Sequence, residues 1–141
     1  MKDRFFEEAK KESRLSDYDG AHLGAVAVYK DKFILAKAYN TSKTNPTQYF
    51  YNRYRKTDKS DIMGKPPRAH AEIQLYRKIR YLDIDFSKVT VYIYRELRDG
   101  TMALSAPCKS CRAALHDLGI KNICYTTFDG FIEEKFYGKI K

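Results

Sequence analysis

Ala69-His70-Ala71-Glu72-Ile73-Gln74-Leu75-Tyr76-Arg77-Lys78-Ile79-Arg80-Tyr81-Leu82 is the stretch on which the reading of the whole chain turns. Pro66 and Pro67 bar helix just ahead of it, and Ile73, Leu75, Tyr76, Ile79 and Leu82 have the spacing of a partly buried helix over 69–82. His70 and Glu72 then fall in the first turn, where backbone N–H groups point outward unpaired and the helix dipole favours negative charge. Two residues apart, their side chains diverge by about 200° around the axis, so they do not grip one ion together as an i,i+4 pair does. His70 is placed to bind a metal while Glu72 reaches past it.

A second helix start answers the first. In Pro107-Cys108-Lys109-Ser110-Cys111, the proline opens a helix predicted over 108–118, and the two cysteines, three apart, bring their sulfurs to the same end of it. One imidazole and two thiolates are three ligands for tetrahedral Zn²⁺; the fourth position stays open for water, which separates a catalytic zinc from a structural one. A competing grouping, Cys108, Cys111, His116 and Cys124, is spaced like a zinc knuckle. In it His116 would sit inside the helix ending near Gly119, and Cys124 lies in the apolar run NICYTT, where a small buried core residue is expected. That grouping also leaves His70 and Glu72 without a role. His22 and His116 read as strand-entry and helix-surface residues.

The H-x-E and P-C-x-x-C elements, in this order, resemble the cytidine deaminase-like zinc deaminases. The resemblance covers nearly the whole chain apart from one long loop. It implies that His70, Cys108 and Cys111 hold Zn²⁺, which lowers the pKa of a bound water toward neutrality. It implies that Glu72 is no ligand but the acid and base, taking the water proton, passing it to the ring nitrogen beside the reacting carbon and protonating the departing ammonia. By the same resemblance Asn40, at the end of a predicted strand, touches the substrate sugar or base, and Ala71 joins the substrate-binding set. Read from the residues alone, an Asn at a strand end is a turn residue. Enzymes of this group that act on free cytidine carry Asn-x-Glu there to grip the ribose, whereas here Asn40 is followed by Thr41 and Ser42. A nucleotide or a single-stranded polynucleotide is therefore favoured over a nucleoside.

The remaining elements fit an α/β chain. A charged amphipathic helix is predicted over 3–15, strands over 23–30 and 33–40, then 88–95, 121–127 and 131–137. GAVAVYK and KFILAKAYN should form a hairpin about Asp31-Lys32. VTVYIYRE and NICYTT are continuous apolar, β-branched runs, the pattern of strands buried on both faces in crossover units. The expected fold is a three-layer α/β/α sandwich with a five-stranded mixed sheet, cytidine deaminase-like, forming a single deaminase domain over 1–141. Asp129-Gly130, between TTF and FIEEKFY, reads as a hairpin turn that makes the last two strands antiparallel. Within the superfamily this resembles the branch of free-cytidine and toxin-like deaminases rather than that of the tRNA adenosine enzymes.

Composition narrows the setting. At 141 residues the chain can bury one core without disulfides, and its three cysteines, two of them assigned to metal, suit a reducing compartment. MKDRFFEEAKKESRL lacks the apolar core of a secretion signal, no stretch is long enough to span a bilayer, and a cytoplasmic protein without membrane partners is expected. The net charge of +9 and pI near 9.4 favour an anionic partner, with a solvated basic face as the equal alternative.

The segment Thr41–Arg68 is too long for a simple connection and leads directly into His70. Its run Pro46–Lys56 interleaves aromatics and cations, and Tyr49, Tyr51, Arg53 and Arg55 are the residues expected to stack bases and hold phosphates of single-stranded DNA or RNA, or of a nucleotide. A short helix packing Phe50 and Tyr54 on the surface explains the same run equally well. Three functions follow. The first is a zinc-dependent hydrolytic deaminase converting cytosine to uracil in single-stranded nucleic acid or a cytidine nucleotide. The others are a deaminase of free nucleosides or other amino-heterocycles, purines included, and a zinc-stabilised nucleic-acid-binding module, against which Glu72 argues.

Overall fold

In the computed structural model, which describes residues 3–18, 20–42 and 70–135, the alternating apolar runs of the sequence become the strands of one sheet. β1 (His22–Tyr29) and β2 (Phe33–Tyr39) form the expected antiparallel hairpin. Its reversal lies one residue earlier than predicted, at Lys30-Asp31 rather than Asp31-Lys32. Both residues have positive φ, 54° and 58°, and Lys32 N–H donates to Tyr29 O at 3.1 Å. This left-handed conformation matches the twist of paired strands, and Lys30 is held in it by donating its N–H to Lys88 O at 2.9 Å. Leu35 bulges from β2 where the pairing shifts between Ala27 and Val28.

β3 (Val89–Glu96) pairs antiparallel with β1 and parallel with β5 (Asn122–Thr126), and β6 (Phe131–Lys135) closes antiparallel on β5. The strand order is β2-β1-β3-β5-β6, with β4 (Met102–Ala103) pairing β3 at Arg95 and Glu96. Among the described residues the sheet therefore has six strands where five were expected, because a two-residue strand is too short to leave a period in the sequence. The Asp129-Gly130 hairpin and the antiparallel final pair are as predicted.

Side chains alternate across this sheet, and each face takes a helical layer. Leu23, Ala25, Ala27, Val89, Val91, Ile93, Ile123 and Tyr125 face α2 (Ala71–Ile79) and α3 (Lys109–Leu118), which contribute Leu75, Ile79 and Leu115. Val26, Val28, Tyr92, Tyr94 and Cys124 face α1 (Asp3–Ser13), which contributes Phe5, Phe6 and Ala9. The result is the expected α/β/α sandwich. α1 ends at Ser13 and α2 runs over 71–79, both shorter than the apolar pattern suggested. α3 stops where Gly119, at φ 97°, lets its N–H reach His116 O and the N–H of Ile120 reach Leu115 O. No helix among the described residues is long and apolar enough to cross a membrane.

α1 lies flush on β1 because Gly24 has no side chain. A Cβ there would stand 2.0 Å from Ala9 O and 2.6 Å from Ser13 N, both backbone atoms that cannot swing aside. Gly24→Ala should therefore lift the helix off the sheet and cost about 3 kcal/mol or more of stability, measured by urea denaturation; a loss under about 1 kcal/mol would show that α1 shifts freely.

Candidate active site

Each of the two signature elements ends in an N-cap. His70 precedes α2 with extended backbone (φ −77°, ψ 158°), and Cys108 precedes α3 in the same conformation (φ −71°, ψ 171°). Neither side chain caps its own helix, so both are directed elsewhere. His70 Nδ1 lies 3.6 Å from Cys108 Sγ and 3.4 Å from Cys111 Sγ, and the two sulfurs are 3.5 Å apart. Among the described residues this trio is the one grouping of His, Cys, Asp or Glu whose donor atoms converge, all within 4.8 Å of one another.

These spacings test the fit of a metal. A tetrahedral ion with bonds of about 2.3 Å to sulfur and about 2.05 Å to nitrogen sets sulfurs about 3.8 Å apart and sulfur from nitrogen about 3.5 Å apart. The observed triangle has those dimensions within a few tenths of an ångström, and its donors, one imidazole and two sulfurs, are those zinc prefers. The hydrogen bond shared with Cys111, reinforced by His70 and Ser110 against the effect of burial, brings Cys108 down to about 3, a thiolate at neutral pH. Burial pushes the Cys111 thiol up, and a divalent cation is what allows both sulfurs to be anionic together. The knuckle grouping is taken apart by the fold. Cys124 is on the opposite face of the sheet, buried against α1 with its thiol pushed up to about 12 by desolvation and the nearby Glu133, and His116 is at the far end of α3. His22 Nε2 bonds Tyr18 O at 2.8 Å.

What holds Cys108 opposite His70 is a buried hydroxyl network at the end of the sheet. Ser105 Oγ donates to Ile93 O at 2.8 Å and accepts from Thr126 N at 2.7 Å, while Thr126 Oγ1 lies 2.7 Å from Ala103 O. Ser105 N donates to Thr126 O at 2.9 Å. Both side chains are buried, and together they clamp the segment after β4 onto β3 and β5 just before Pro107. Arg112 Nε then ties α3 back to Pro107 O at 3.0 Å.

Glu72 is 2 % exposed, and its Oε1 has no hydrogen-bond partner. Burial raises its pKa above the ordinary carboxylate range, opposed by His70 and aided by the Cys108 sulfur. It opens, with His70 and Cys108, onto a cavity of about 450 Å³ also lined by Tyr18, Leu23, Asn40 and Arg95. Asn40 is there as expected, but its side chain first serves the fold: Oδ1 accepts from Leu23 N at 2.9 Å and Nδ2 donates to Ala21 O at 3.0 Å. Ala71 is not on the cavity wall; its side chain is fully buried in the core with Leu75 and Ile79. Tyr49, Tyr51, Arg53 and Arg55 lie outside the described residues. Tyr18, Leu23 and Arg95 carry no motif and were not read from the sequence; for Arg95 the signal was its place at the C-terminal end of a buried strand.

The chain matches the family model for the cytidine and deoxycytidylate deaminase zinc-binding region over residues 1–127. No curated protein sequence matches it. Among solved structures it is similar to the dCMP deaminase of cyanophage S-TIM5 in apo form, at 20 % identity and a TM-score of 0.60, covering 90 % of this chain and 86 % of that one. The same enzyme in complex with dCMP and dUMP aligns at 19 % identity and a TM-score of 0.59, covering 89 % and 82 %. At this identity the likeness speaks for the fold. The metal geometry predicts that H70A, C108S and C111S each fall from about one zinc per chain to well under half, measured by elemental analysis after dialysis, while C124A and H116A keep theirs.

Proposed function

The chain belongs to the cytidine and deoxycytidylate deaminase family, whose members are zinc-dependent, and from that premise we propose that it converts cytosine to uracil in a cytidine nucleotide or in single-stranded nucleic acid. The observation that carries this is the unpartnered, buried Glu72 Oε1 opening onto the same cavity as His70 and Cys108. A structural zinc site has no use for a desolvated carboxyl beside its ligands. Hydrolysis at an amino-bearing ring carbon has one.

His70, Cys108 and Cys111 hold the metal, which when bound supplies the Lewis acidity that readies water for attack. Glu72 does the proton work. It takes a proton from the water as the oxygen bonds to C4 of the pyrimidine, and passes it to N3, so that the ring loses its C4–N3 double bond without building charge. It then takes the second proton from the new hydroxyl and hands it to the 4-amino group, the C4–N bond breaks, and ammonia leaves. Burial serves this cycle, because a carboxyl with a raised pKa holds the proton between its two transfers instead of losing it to solvent. Leu23 and Ala106 give the cavity apolar wall, and Asn40, its amide clamped by Ala21 and Leu23, has one N–H left to orient a ligand.

Zinc-loaded protein should convert cytosine in dCMP, CMP or a single-stranded oligonucleotide, read by mass spectrometry as a gain of about 1 Da. Glu72→Gln should keep its zinc and its melting temperature and lose about 10³-fold or more in kcat. Absence of conversion in every cytosine substrate, or full activity in E72Q, refutes the proposal.

A further inference from the structure

Among the described residues two buried side-chain polar atoms have no hydrogen-bond partner, Glu72 Oε1 and Arg95 Nε. Both residues line the same cavity. The deamination chemistry uses the carboxyl and leaves the guanidinium unexplained. Arg95 reaches the cavity by strand alternation: Val89, Val91 and Ile93 of β3 point toward α2 and α3, and Arg95, two residues on, points to the same side. It stands in register with Leu23 of β1, itself a cavity wall, at the C-terminal end of the strand.

One end of the side chain is anchored. Nη1 donates to Leu104 O at 3.3 Å, and the backbone N–H of Arg95 donates to Thr126 Oγ1 at 3.4 Å, which joins it to the network that places Cys108. The Nε–H remains desolvated without an acceptor, and leaving such a donor of a permanently charged group unpaired is costly. A ligand oxygen removes that cost. The charge of the site says which kind. Glu72 is the one carboxylate lining the described cavity, and Arg95 is its one Lys or Arg. A guanidinium matches phosphate oxygens better than neutral ones, through charge-assisted hydrogen bonds.

We infer that Arg95 is a substrate-binding residue whose Nε–H donates to a phosphate oxygen, so that the cavity selects phosphate esters over nucleosides. This rests on the deaminase reading of the same site. The phosphate is either the monoester of a free nucleotide or a diester of a single strand, and the test separates them.

The experiment measures binding of the products dUMP and deoxyuridine by calorimetry, and kcat/KM for dCMP, deoxycytidine and a single-cytosine DNA oligonucleotide, in wild type, R95M and R95K. Wild type should bind dUMP at least about tenfold tighter than deoxyuridine, and R95M should reduce that preference by about 10- to 100-fold, with R95K recovering part of it. The ratio is the readout because a merely structural role lowers both affinities together. Loss of discrimination for dCMP identifies the monoester as the group bound; loss of oligonucleotide turnover relative to deoxycytidine, with dCMP not preferred, identifies the diester. Equal binding of dUMP and deoxyuridine by wild type together with no preference for the oligonucleotide, or a preference that survives in R95M, overturns the inference. If R95M does not fold, the wild-type comparison and R95K decide. The two readings fail separately: Arg95-dependent binding of dUMP without any deamination leaves this inference standing and removes the activity, whereas deamination of deoxycytidine and dCMP alike does the reverse.

Discussion

Two helix N-caps meet at one end of a buried sheet, and the chemistry of this protein depends on that meeting. His70 and Cys108 are 38 positions apart in the chain, yet Nδ1 and Sγ lie 3.6 Å from each other. An N-cap is suited to this task, because its side chain leaves the helix axis while the N–H groups behind it stay unpaired and favour anionic sulfur. The third converging donor, Cys111, comes from one turn further along α3, so the register of a single helix sets two of the three donors. Nothing local in either helix brings them together. The sheet does so, by seating α2 and α3 side by side on the face made by Ala25, Ala27, Val91, Ile93 and Ile123.

The same end of the sheet shows how a polar network can serve precision without exposed charge. The Ser105 and Thr126 hydroxyls donate to the carbonyls of Ile93 and Ala103, and Ser105 Oγ accepts from Thr126 N, so the segment entering α3 is fixed to both β3 and β5. A fully satisfied network of this kind is specific, because displacement of any member leaves a desolvated polar group. Glu72 and Arg95, which line the cavity, each keep one buried atom without a partner. The contrast between the complete network and the two incomplete groups is what the proposed roles of Glu72 and Arg95 rest on. It also explains why the opposite face, where Phe5, Phe6, Tyr92 and Tyr94 pack without such groups, reads as structure alone.

Much of this was legible from residue order. The H-x-E and P-C-x-x-C spacings pointed to the three side chains whose donor atoms converge and to the buried carboxyl beside them, because metal chemistry needs specific side chains at specific helix positions. The long apolar runs of β3 and β5 announced strands buried on both faces, and Asp129-Gly130 announced the final hairpin. β4 was not legible, since a two-residue strand exists only through its partner on β3. The turn sits at Lys30-Asp31, one residue before the expected position, where Lys30 donates its N–H to Lys88 O, 58 positions away. That the methyl of Ala71 lies in the core follows from how α2 seats on the sheet, which residue order does not give.

The sequence by itself singled out the side chains that converge, His70, Cys108 and Cys111, because residue type and spacing at a helix start are local properties. It also determined the layering, because periods of two and of about 3.6 say which side of each element is apolar. Only the tertiary structure decided what the cavity is. Whether Asn40 spends its amide on Ala21 and Leu23, whether Cys124 faces the metal or α1, and whether Arg95 points into the site or away from it depend on strand pairing across the sheet. The physical reason is that a side chain's partner is set by register and alternation between distant segments, and neither is written in the local sequence.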